Sequence, residues 1–227
     1  MNVLTSIILF LLMAVNPVTE DRKVSSFDKI SVANSIDLYY TQSSSYSVKV
    51  EAKEELMPQI LTEVKNGELI VKLEPGKVKK FTSPIKVYVT APTLCSVATA
   101  NSSDFYADRV TCADMLTIST ANSSDVKVGT ISAKSCTIST SNSSDCIVKE
   151  LNAPTCMLKA ANSSDISIEL KGVESLTVNA ANSSDVTLKG TAKHLDLTAA
   201  NSSDINIKGL TYETITQSAA RSSKIVR

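Results

Sequence analysis

Six aspartates recur at nearly constant spacing: Asp104, Asp125, Asp145, Asp165, Asp185 and Asp204. Each closes an Asn-Ser-Ser-Asp tetrapeptide, and these begin at Asn101, Asn122, Asn142, Asn162, Asn182 and Asn201. A worn copy, Arg221-Ser-Ser-Lys224, ends the series, and the steps are 21, 20, 20, 20, 19 and 20 residues. A file of carboxylates suits a hard divalent cation such as calcium. Asn-Ser-Ser is formally an acceptor for N-linked glycans. Asn, Ser and Asp also bond their own backbone and tolerate bends, which would make the tetrapeptide a corner of a scaffold.

Little else in the chain offers chemistry. His194 is the single histidine, so neither a His-based metal site nor a Ser-His-Asp triad has a second supporting residue. The acids form one regular file with no irregular cluster beside Arg or Lys, so catalytic residues are not expected. A Thr row (Thr117, Thr137, Thr177, Thr216) of the kind that orders water is interrupted by Met157 and Asp196, and Thr is what an exposed strand face favours anyway. Aromatic platforms for sugars are sparse in the repeats, where only Tyr106 and Tyr212 offer them.

The elements that carry the tetrapeptide are legible from hydrophobic period. Counting each copy from its Asn as zero, position +4 reads Phe105, Val126, Cys146, Ile166, Val186, Ile205, and position −4 reads Val97, Ile118, Ile138, Leu158, Val178, Leu197. Positions +6 and −6 are equally apolar, and the residues between are mostly Thr, Ser, Lys or Asn. Alternation of period two with β-branched residues is the strand signal. Two short strands cannot bury a face alone, but copies stacked in parallel can. Each repeat therefore reads as one coil of a β-solenoid, with equivalent residues about 4.8 Å apart. Cys95, Cys136 and Cys156 share the −6 row with Leu116, Leu176 and Leu195, so the cysteines read as small core residues. A Cys136–Cys156 bridge is disfavoured by parallel Cβ directions.

The same parity, carried through the tetrapeptide, points the Asn and the second Ser inward and the first Ser and the Asp outward. It predicts an internal structural ladder of Asn101, Asn122, Asn142, Asn162, Asn182 and Asn201, with inward Asn unavailable for glycans. Like charges in the Asp file repel by about 3 to 4 kcal/mol at an effective dielectric near 20. Backbone amides or cations must offset that. The Gly-rich nonapeptide of calcium-binding β-rolls is absent, which favours amides. No cofactor is expected, and calcium on the Asp file is the one ion the pattern admits.

Residues 1–19 read as a signal peptide, with an apolar run from Val3 to Val15 too short to span a bilayer. The first Cys is Cys95, so no lipoprotein anchor is expected. Residues 24–94 form a less regular β-rich part, in which Asn34-Ser-Ile-Asp37 looks like a degenerate first copy, and 95–227 form the regular repeats. Lys plus Arg and Asp plus Glu are both 23. That balance speaks against nucleic acid as a partner.

The order "FDKISVANSIDLYYTQ", "SVKVEAKEEL", "TEVKNGELIVKL" and "IKVYVTAPTL", followed by small-residue-Ser-Asp-apolar repeats, resembles the family of putative auto-transporter adhesin head GIN domain proteins, common in Bacteroidetes. The resemblance covers about residues 24 to 227. This chain writes Ala-Asn-Ser-Ser-Asp where the family usually writes Ser-Gly-Ala-Ser-Asp. The resemblance implies a right-handed parallel β-helix, an all-β fold, in the periplasm, outer membrane or cell surface. It carries over no catalytic residue. The function expected is a non-catalytic, exported binding module that recognises an extended polymer, either a glycan or an envelope protein. The alternative is a passive spacer. After signal removal no membrane span is expected.

Overall fold

Because apolar residues recur at every second position and again in every coil, each strand has one apolar face and a matching neighbour. In the computed structural model, which describes residues 16–74, 76 and 83–227, these strands stack as a β-solenoid of about 7 turns with coils about 20 residues apart. Leu116, Cys136, Cys156, Leu176 and Leu195 lie opposite one another in parallel register on one side. Val126, Cys146, Ile166, Val186 and Ile205 do so on the other. Both rows are buried, as are Val110, Ile131, Leu151 and Leu170, a further row near the ends of the second strands.

The first strands are β1 (Val18–Arg22), β2 (Lys29–Ala33), β3 (Ile36–Gln42), β4 (Ser47–Ala52), β5 (Ile60–Lys65), β6 (Glu68–Leu73) and β7 (Ile85–Ala91). β8 (Ser96–Ala100) and β9 (Asp104–Thr111) form the next coil. β2 pairs in parallel with both β6 and β8, and β3 with both β7 and β9. The first coil in the sequence thus lies between two later ones. It is a true copy of the repeat, since Asn34 and Ser35 share the left-handed backbone of the later corners, with φ of 72° and 59°. Asn66 and Gly67, at φ 52° and 75°, make the hairpin turn from β5 to β6.

This end of the solenoid is closed. β5 runs antiparallel to β6, β4 antiparallel to β7, and β1 antiparallel to β4. A 3-10 turn at Glu54–Gln59, with Pro58 inside it, buries Leu56 and Met57. Antiparallel edges and a covering turn take the place of a further coil. The apolar run Val3 to Val15 lies outside the described residues; of the segment 1–19 expected as a signal peptide, residues 16–19 are described, and Val18 and Thr19 begin β1. Among the described residues no helix is long and apolar enough to cross a membrane.

The reading of every cysteine as a core residue needs correction. Cys95 and Cys112 are joined by a disulfide across 17 residues, with Cα atoms 5.1 Å apart. They flank β8 and β9, so the bond closes one coil into a covalent ring. Cys112 sits at the corner after β9, in the place that Ala133 and Ala153 take in the next coils, beyond the rows that border the tetrapeptide. Cys136, Cys146 and Cys156 are free and buried. The neighbouring Cys136 thiol and burial hold the Cys156 thiol well above its usual range, and burial does the same for Cys146. Such thiols are poor nucleophiles.

Candidate functional site

The tetrapeptide is a corner in which each residue serves the next coil. Its Asn and first Ser both take left-handed backbone, as at Asn162 and Ser163 with φ 61° and 60°. Two such residues in succession turn the corner without changing the parity of the strands on either side, and they carry the Asn outward although alternation implies that it points inward. Asn101, Asn122, Asn142, Asn162, Asn182 and Asn201 lie along the outer corner, and the buried member is the second Ser (Ser103, Ser124, Ser144, Ser164, Ser184, Ser203). The Asn side chains still bond in file: Nδ2 of Asn162 donates to Oδ1 of Asn142 at 3.0 Å, and Asn182 repeats this to Asn162 at 2.9 Å. Arg221 ends the file with a bond to Asn201 Oδ1. Inward pointing is therefore no reason for these Asn to escape glycans.

The second Ser solves a backbone problem. At a bend the strand ladder breaks, and a buried N–H without an acceptor is costly. The Ser144 amide donates instead to Ser164 Oγ at 3.2 Å, and the Ser164 amide to Ser184 Oγ at 3.1 Å. The same file reaches the first coil, where the Ile36 amide donates to Ser103 Oγ. Ser164→Ala should therefore cost about 1 to 3 kcal/mol by orphaning the Ser144 amide. Asn162→Ala should cost about 1 kcal/mol, mainly for placing a Cβ residue without Asn's tolerance in left-handed backbone. Ser163→Ala should cost under about 0.5 kcal/mol. Urea melts give the order, and a larger loss for Asn162 than for Ser164 would contradict the geometry.

The aspartates face outward, and amides meet them. Oδ1 of Asp104 accepts from the Asp125 amide at 2.9 Å, and Oδ1 of Asp165 from the Asp185 amide at 3.2 Å. The Asp204 amide likewise donates to Asp185, and the Lys224 amide to Asp204. Asp145 bonds the Asp165 amide, yet burial and the Asp125 and Asp165 carboxylates still hold its carboxyl above the usual range. Among the described residues no three His, Cys, Asp or Glu side chains gather as a metal centre. His194 is exposed, and its Nδ1 lies 2.8 Å from Thr214 Oγ1.

A different outward row gathers residues that chain order keeps apart. Tyr88, Tyr39 and Tyr106 lie opposite one another on β7, β3 and β9. Their ring centroids are 5.4 and 5.0 Å apart, with interplanar angles of 23° and 16°. Lys127 continues the row with its Nζ 5.7 Å from the Tyr106 centroid, and the exposed Ile147 lies opposite Lys127 on the next coil. The out-of-order first coil explains why, of this row, the repeats alone offered only Tyr106 beside the unrelated Tyr212. The signal was present as Asp37-Leu38-Tyr39, Lys86-Val87-Tyr88 and Asp104-Phe105-Tyr106, one offset shared by three coils.

Beside this row a groove opens. β3 and β9 pair only as far as Tyr40 and Ala107, whereas β3 continues against β7 to Gln42 and Ala91. Where they part, two open depressions of about 440 and 470 Å³ share Tyr40, Thr41 and Asp108. Ala107 stands where later coils place Val, Ile or Leu. Gly129 lets the backbones close up, since a Cβ there would lie 2.4 Å from the Asp108 carbonyl oxygen.

The row is rigid and neutral. Tyr106 donates to Asp104 Oδ2 at 2.9 Å and Tyr88 to Glu51 Oε2 at 3.2 Å. Burial, then the Asp104 bond, push the Tyr106 phenol up, and burial with Glu51 raises Tyr88. Tyr40, whose hydroxyl donates to the Ala91 carbonyl at 3.1 Å, is pushed up to about 12 by burial. Burial and the facing Asp104 also raise the Asp37 carboxyl. Stacked phenols, the two outer ones tied at their hydroxyls, offer an apolar ridge with a polar margin at little entropic cost. Among the described residues that line the adjoining depressions there is no Ser, Cys or His.

Stacked coils, bonded corners and a closed end define an all-β solenoid of the adhesin-head type. The family model described as "Putative auto-transporter adhesin, head GIN domain" matches residues 26–149 and 137–226, and the chain belongs to that family. Its fold is similar to that of a putative adhesin from Bacteroides fragilis, at 20% identity, with 93% of this chain and 94% of that one covered and a TM-score of 0.76. A putative adhesin from Parabacteroides merdae is 20% identical over 93% of this chain and 95% of that one, with a TM-score of 0.64. A putative lipid binding protein from Parabacteroides distasonis is 21% identical over 93% and 96%, with a TM-score of 0.63. The comparison with curated proteins returned no match.

Proposed function

We propose that the protein is an exported, non-catalytic binding module that holds a polysaccharide along the Tyr88–Tyr39–Tyr106 row and its groove. The observation that carries this reading is the stacked row itself, three coils long and set beside an open cleft. Its length is about 10 Å between the outer rings at the usual strand spacing, enough for an extended chain to lie along it. Family membership supports adhesion, and a disulfide-closed coil suits an oxidising compartment outside the cytoplasm. The Asn, Ser and Asp files belong to the scaffold in this reading, so avidity from many weak contacts gives way to one anchored stretch of polymer.

Tyr39→Ala and Tyr106→Ala should each weaken binding to the best ligand of a glycan array at least tenfold, or about 1.4 kcal/mol. Thr187→Ala, farther along the same face, should leave it unchanged. Isothermal titration and circular dichroism would separate lost contacts from lost fold. An array without any bound polysaccharide would favour the spacer.

A further inference from the structure

Cations outnumber carboxylates along the groove. Arg109, Lys127 and Lys149 line it, against one carboxylate, Asp108. Lys127 is engaged, with Nζ 3.2 Å from Asp125 Oδ2 and set against the Tyr106 ring. Arg109 and Lys149 are exposed and form neither an ion pair nor a side-chain hydrogen bond among the described residues. In a chain whose charges sum to zero, two unengaged cations beside an aromatic row are a local excess. They stand on strands two apart, about 10 Å along the stacking axis, the scale on which successive units of an extended chain present their substituents.

We infer that the groove selects a carboxylate-bearing polysaccharide, one built with uronic acids, over its neutral counterparts. This rests on the polysaccharide reading above. The Tyr row packs against the C–H faces of the sugars, as a rigid amphipathic side chain does at low entropic cost. Arg109 offers a planar fork for bidentate pairing with a carboxylate, and Lys149 a point charge for a second one. Asp108, between the two depressions, accepts from sugar hydroxyls and sets the spacing between the acids. A neutral chain would leave both cations without partners. A polyanion lacking sugar rings would gain the charges but not the ridge.

The test titrates the full chain with oligogalacturonate, with a neutral galactan of the same length, and with poly-glutamate. Oligogalacturonate should bind at least tenfold more tightly than either, and more weakly as salt is raised. The double variant Arg109→Gln, Lys149→Gln should lose that preference while keeping its circular dichroism spectrum and its weak binding to galactan. Tyr106→Ala should weaken both sugars together. Galactan bound as tightly as oligogalacturonate, or an unchanged double variant, would overturn the charge selection and leave the polysaccharide reading standing. Poly-glutamate bound as well as oligogalacturonate would reduce the site to a cationic patch. Failure of both sugars to bind would overturn the reading beneath it.

Discussion

Replacing Cys95 and Cys112 with alanine is expected to lower the unfolding free energy by about 3 kcal/mol, the scale for closing a loop of this length. The bond spans 17 residues and encloses β8 and β9. Cutting it frees the unfolded chain while leaving native pairing intact: β8 still lies against β2, and β9 against β3. Urea melts of the oxidised protein, the reduced protein and the double variant would measure it. The reduced protein and the variant should agree. A loss below about 1 kcal/mol would mean that the unfolded chain already keeps these corners close.

A comparable loss is expected from a single methyl group at Gly190. This residue has φ 95°, and a Cβ there would lie 2.1 Å from the Leu170 carbonyl oxygen. The coil from Asn182 to Asn201 is the one with a 19-residue step, and the strand register shifts between Thr187 and Lys189. A shorter circuit brings the backbone against its neighbour, so only a residue without Cβ fits. Gly190→Ala combines left-handed strain with a backbone clash and should cost about 3 kcal/mol or more. Gly172→Ala is the control. Its φ is 68°, but nothing lies within 4 Å of the added Cβ, so the cost should be about 1 kcal/mol. Equal losses in thermal melts would show that the clash relaxes without cost.

The coil, its core rows and its repeat length were legible because period-two alternation and a twenty-residue step leave few other ways to bury Leu116, Cys136, Cys156 and Leu176 together. Orientation at the corners was legible only in part. Alternation places Ser164 inward, where it lies, but it assumes extended backbone, and Asn162 with Ser163 turns left-handed in succession, which carries the Asn out to the surface. The binding surface was harder still. Tyr39 and Tyr88 are 49 residues apart and adjacent in space, because stacking order departs from chain order, a fact that pattern within one repeat does not carry. The same limit hid Cys112, which belongs to a corner without a fixed motif.

That departure from chain order also governs when the molecule can begin to fold. A solenoid whose coils stack in sequence can zip as it emerges, each coil settling on the last. Here β2 and β3 gain their partners only once β6 and β7, then β8 and β9, have been supplied. Until residue 91 is available the earliest coil lacks even one complete neighbour, and loop-closure entropy must be met before these distant pairings repay it. A polypeptide delivered N-terminus first can therefore form local pairs such as β5 with β6, but no complete coil-on-coil contact, through about its opening two fifths. The topology that sets the tyrosines side by side thus acts as a built-in delay, because the earliest coil has both of its neighbours only when β9 is complete, with nearly half of the chain made.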